Sequence, residues 1–219
     1  MSIHTIQFGD EGQAATRELS RRVESLAPLE LPAFRSVRDH VATLESLDRQ
    51  YGGNAKLPLE DVDAVVAALL TELASWAAEA DSVVIGVALW AMRHEVGITV
   101  VEPVVNALAR RSNQARNKEQ AAAAFALMQG VIANVAPRLS ADLERSNPER
   151  PWRLLHANLA ITAIRTEDPA MMAFAFDALD AALPDERASF YGEARALALA
   201  PGISPVVRAS IEERCAKWL

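Results

Sequence analysis

Residues 151–184 read PWRLLHANLAITAIRTEDPAMMAFAFDALDAALP, two helix-length apolar segments placed back to back. Pro151 and Pro169 stand where a first helical turn accepts proline, because the N–H that proline lacks has no partner there anyway. Asp168, just before Pro169, supplies a side-chain acceptor for the orphan amides of the second segment. Leu183-Pro184 closes the pair. Large side chains occur on more than one side of both segments: Trp152, Leu155 and Leu159 face one way and Leu154, Ile161 and Ile164 another, while Met171, Met172, Phe174 and Phe176 fall close together. A helix that is apolar on two sides needs cover on both, so these two are expected to lie in stacked layers.

The same spacing recurs through the last two-thirds of the chain. Long apolar segments open near Val83, Asn117, Pro151 and Pro184, spaced by 34, 34 and 33 residues, and shorter ones open near Pro103, Arg138, Pro169 and Pro205. A fixed period of this size marks helical hairpins that bury their apolar faces only by stacking. The expected fold is all-α: a helical-hairpin array, α-solenoid-like with a period of roughly 34 residues, or a compact multi-helix bundle. The period is that of tetratricopeptide hairpins. The aromatic, Leu-Gly and Ala positions of that family do not recur at matching offsets, so no family follows from it.

Before this array the pattern is helical but not periodic at the larger scale. Residues 1–12 read as an arm ending in Gly9, Asp10 and Gly12. Ala15, Leu19, Val23 and Leu26 make a helix over 13–27, and Phe34, Val37, Val41, Leu44 and Leu47 make another over 33–51, stopped by Gly52-Gly53-Asn54. An N-terminal portion therefore ends near Lys56, and the array runs over residues 57–219. Pro58 starts a helix whose stripe Leu59, Val62, Val66, Leu69, Leu73, Trp76 and Ala80 steps by threes and fours. Residues 83–92 carry no charged or polar side chain and should be covered on every side, with Asp81 or Ser82 as the cap. Asn117 and Gln120 form a variant capping box for a helix ending at Ala136, and a short helix is expected over 138–145.

Charge narrows the function classes. The 22 Lys and Arg against 29 Asp and Glu leave a net charge of -7, which disfavours nonspecific attraction to nucleic acid and anionic membranes. The charge is uneven: residues 1–80 net -6, 81–139 net +2 and 140–219 net -3. The single cysteine, Cys215, forms no internal disulfide, and a cytoplasmic location is expected. The longest strongly apolar run, over 83–92, has 10 residues, whereas a bilayer needs about 20. It reads as a core helix.

Motifs of catalysis do not occur. His4, His40, His94 and His156 are scattered without the spacing of a metal site, and G-x-S-x-G, G-x-x-x-x-G-K and G-x-G-x-x-G do not appear. Asp177 and Asp180 read as a solvated edge, and no cofactor or metal is expected. The basic stretch Arg110, Arg111, Arg116 and Lys118 crosses a helix end, a loop and a helix start, where it suits either the helix dipole or an acidic partner. Arg153, His156 and Asn158 are the polar group on the helix over 152–165 that a small-molecule site would use first. The expected function is a non-enzymatic protein-interaction or assembly module with a protein partner, copies of the chain included. The alternative is a small-molecule site, or an enzyme, near His156.

Overall fold

The computed structural model describes residues 18–51 and 62–219. Among them lie ten α-helices and no strand: α1 Leu19–Ser25, α2 Phe34–Tyr51, α3 Val62–Ala74, α4 Asp81–Arg93, α5 Glu102–Asn113, α6 Lys118–Leu139, α7 Pro151–Thr166, α8 Pro169–Ala182, α9 Arg187–Ala198 and α10 Pro205–Trp218. The fold is all-α, as a bundle or array requires. The expected arm, the glycine stop after α2, the boundary near Lys56 and the helix start at Pro58 lie outside the described residues.

Two compact units divide the described chain. The first takes α1 to α5 with residues 129–138, and the second takes residues 114–128 with α7 to α10. In the first unit α4 packs on α5, α3 and α1, and α2 packs on α1 and α3. Its core joins Leu19 and Val23 of α1, Val37, Val41 and Leu44 of α2, Val66, Leu69 and Leu73 of α3, and Val83, Val87 and Trp90 of α4. Gly86 is buried as well. Ile85, Leu89 and Met92 are only half-buried. They recur at i, i+4 and i+7, so one line of α4 remains partly open and the expected cover on every side is incomplete.

Within the second unit α7 packs on α8, α9 packs on α10, and α10 also packs on α8. The core here is Trp152, Leu155 and Leu159 of α7, Met172, Phe176 and Leu179 of α8, Tyr191 of α9, and Val207, Ile211 and Cys215 of α10. Phe174 is partly exposed, with its ring edge-on to Phe125 at 6.2 Å between centroids. Thus the Met and Phe cluster of α8 divides between core and surface.

Local chemistry sets several helix starts. The Asp168 carboxylate accepts from the Ala170 and Met171 amides at 2.8 and 3.0 Å, and the Ser204 hydroxyl accepts from the Val207 amide at 3.3 Å. Asn117 accepts from the Gln120 amide at 2.9 Å, while the Gln120 side chain returns to the Arg116 amide, one residue before the helix cap. Asp81 is the first residue of α4 and makes no cap bond. α6 continues through Pro137 to Leu139, and residues 140–150 form turns in place of the expected short helix. Proline in a last turn forfeits only the bond to the carbonyl four residues back, so the helix survives it.

Candidate functional site

Arg110 and Arg111 lie on α5 in the first unit. The Arg110 guanidinium donates through Nε and Nη2 to the Asp81 carboxylate, at 2.7 to 3.1 Å. This fork satisfies the planar pairing that arginine favours and commits the charge within the unit. Arg111 is exposed.

Arg116 and Lys118 belong to the second unit and line an open cleft of about 450 Å³ with Asn117, Glu119, Arg165 and Glu167. The ammonium of Lys118 donates to Glu167 at 3.0 Å and holds that carboxyl below the usual carboxylate range. The cleft is thus of mixed charge, with one ion pair across it. Its pair is exposed and is worth little in stability.

Arg153, His156 and Asn158 do not converge on a common point of chemistry. Arg153 donates to Glu186 and to the Pro148 carbonyl, and the Asn158 carbonyl is taken by the Thr162 hydroxyl at 2.6 Å. His156 is buried beside Trp152, ring centroids 4.4 Å apart in a T-shaped arrangement, and neither imidazole nitrogen has a hydrogen-bond partner. Burial pushes the imidazole down to about 4, against a weaker opposing pull from Asp142. A neutral ring results at ordinary pH.

Two buried polar networks in this unit were hidden in the sequence. In the first, Arg150 donates to Asp142 at 2.6 and 3.0 Å and to Glu186 at 2.8 Å, with Asp142 and Arg150 both nearly enclosed. It ties the 140–150 turns to the start of α7 and to the 3-10 turn Pro184–Glu186. In the second, Asp180 accepts from Tyr191, Arg214 and Trp218. Asp180 is therefore buried, where a solvated edge was expected, because residues 11, 34 and 38 positions onward close over it. Among the described residues no group of three or more His, Cys, Asp or Glu is placed to hold a metal ion.

The first unit holds two histidine–carboxylate pairs. His94 caps the end of α4, and its Nε2 meets the Asp48 carboxylate, which also pairs with Arg93 at 3.7 Å. The Glu72 carboxylate accepts from Ser36 and contacts His40 at 3.1 Å. Both pairs tie α2 to later helices.

By length and composition alone, α6 is long and apolar enough to cross a membrane; Phe125, Met128, Val131 and Val135 along it are buried against protein. Leu197 and Leu199 are 72% and 76% exposed at the end of α9, and Val206 is 43% exposed at the start of α10. They fall within residues 196–207, twelve positions without a charge. Compared with known families, curated proteins and solved structures, the chain matches none.

Proposed function

We propose that this chain is a non-enzymatic protein-interaction or assembly module of helical-repeat type, and that the turn between α9 and α10 is the surface it presents to its partner. The observation that carries the reading is the exposure of Leu197 and Leu199 in an uncharged stretch that continues to Val206. Single exposed leucines are ordinary, but several together within one turn are what interaction surfaces show. The Arg208 side chain reaches back to the Ala200 carbonyl at 3.2 Å, which holds the first turn of α10 close to the chain just after Leu199. A second copy of the chain is the first partner to test, since most homo-oligomers close through a self-complementary patch.

The test is sedimentation of the pure protein over a wide concentration range, repeated with Leu197→Ser and Leu199→Ser combined. Association that is lost in the double variant at an unchanged melting temperature supports the reading. A protein that stays monomeric at the highest concentration removes the self-association. Turnover of a metabolite by the folded protein, abolished by a substitution in the Arg116 and Lys118 cleft, would replace the non-enzymatic reading.

A further inference from the structure

His156 sits inside the second unit at 4% exposure, and neither of its ring nitrogens meets a hydrogen-bond partner. The indole Nε1 of Trp152, one turn earlier on α7, is equally buried and equally unpartnered. A neutral imidazole tolerates such a place at the cost of one donor and one acceptor. An imidazolium there is a full charge with two unsatisfied donors, a much larger penalty.

The charged groups of α7 and of the segments beside it are already engaged. Asp142, in the 140–150 turns, is the carboxylate whose charge acts on the ring; it accepts two bonds from Arg150 and pairs with Arg145 at 3.8 Å. On α7 itself Arg153 is turned to Glu186, the acidic group of the 3-10 turn, which also receives Arg150. Asp177 and Asp180 of α8 are held by Arg214. Lys118 of α6 pairs with Glu167 at the far end of α7.

We propose that the second unit contains an acid-responsive latch, in which a proton taken up by His156 drives its ring out of the interior and frees the 140–150 turns from the start of α7. Should Asp142 instead swing to meet the imidazolium, it must leave Arg150. Ring exit opens the first turns of α7, whose cap is Arg150, and so loosens the same tie.

The sign follows from the two states of the ring. Closed, the imidazole is held down to about 4 by burial; open, it returns to its ordinary value near 6.5. Between those limits the open form binds the proton more readily, so opening grows as pH falls and is suppressed above about 6.5. At pH 5 the opening equilibrium should rise roughly twenty-fold over its value at pH 7.

Amide hydrogen exchange on the full chain, corrected for the intrinsic pH dependence, reads this directly. Protection over residues 140–160 should fall roughly twenty-fold from pH 7 to pH 5 while the α9 and α10 amides change far less. In His156→Phe the pH response of residues 140–160 should vanish. A flat response in the natural protein, or the same fall in the variant, overturns the latch. If the variant does not fold, the imidazole of the natural protein is followed by NMR: a ring that charges only as protection is lost supports the latch, and one that charges near 6.5 with protection intact overturns it.

Discussion

The Tyr191 hydroxyl donates to the Asp180 carboxylate at 2.8 Å, joining α9 to α8 inside the second unit. Trp218 donates its indole N–H to the other carboxylate oxygen at 2.9 Å, and Arg214 donates to that oxygen at 3.0 Å. One carboxylate therefore holds three side chains drawn from the last two helices. The arginine also stacks over the Phe176 ring at 5.7 Å, adding packing to the charge pair.

Asp180→Ala should destabilise the second unit by about 3 to 5 kcal/mol, because Arg214 would be left charged and largely enclosed with one acceptor removed. Urea unfolding followed by far-UV circular dichroism measures the loss. The same substitution should make Trp218, already wetter than Trp90 and Trp152, more open to iodide quenching. An unchanged midpoint would mean that Asp177 alone satisfies the arginine.

Tyr191 should resist ionisation far above the ordinary phenol value. Burial raises its pKa first, and the Asp180 bond and charge raise it further. Since the folded state holds the proton more tightly than the unfolded chain, stability is full below about pH 10 and declines as pH rises beyond it. In a Tyr51→Phe background, tyrosinate absorbance should appear only together with unfolding. Its appearance while the helices remain intact would contradict the enclosed hydroxyl.

Two arginine pairs should differ in worth although both are forked. Arg150 and Asp142 have side chains 6% and 5% exposed, and Arg110 is 37% exposed beside Asp81. Arg150→Ala should cost about 3 kcal/mol or more, because it leaves the buried Asp142 with no charge partner nearer than the exposed Arg145 at 3.8 Å. Arg110→Ala should cost about 1 kcal/mol or less, since water and salt screen that pair. Thermal melts of both variants at low and high salt test the order.

Ala77 has φ of 47°, in the left-handed region that an alanine Cβ disfavours. Ala77→Gly should relieve about 1 kcal/mol of strain, partly offset by the freer unfolded chain, for a net gain of about 0.5 kcal/mol. The melting temperature should hold or rise. A drop of several degrees would show that the methyl group packs more usefully than the backbone is strained.

What the sequence determined by itself is the class of the fold and several helix starts. Pro151, Asp168-Pro169 and Ser204-Pro205 act within a turn of their own position: a proline without an N–H fits an uncommitted site, and an oxygen beside it binds an amide two or three residues on. Such rules need no distant neighbour, so they can be read in order along the chain. The apolar faces were legible for the same reason, and Val37, Val41, Leu44, Leu69, Leu73, Leu155 and Leu159 are buried where their spacing places them.

Only the tertiary structure decided which polar groups enter the interior. Asp180 looks solvated beside Asp177 until Tyr191, Arg214 and Trp218 arrive from two other helices. The basic stretch from Arg110 to Lys118 reads as one patch, yet Asp81 claims its first arginine and Glu167 its lysine, 29 and 49 residues away. Residues 140–150 have a helical pattern but spend their polar groups on Arg150 and its carboxylates. The worth of a charge depends on its partner and on how much water remains, and both are set by chain segments that local spacing does not relate.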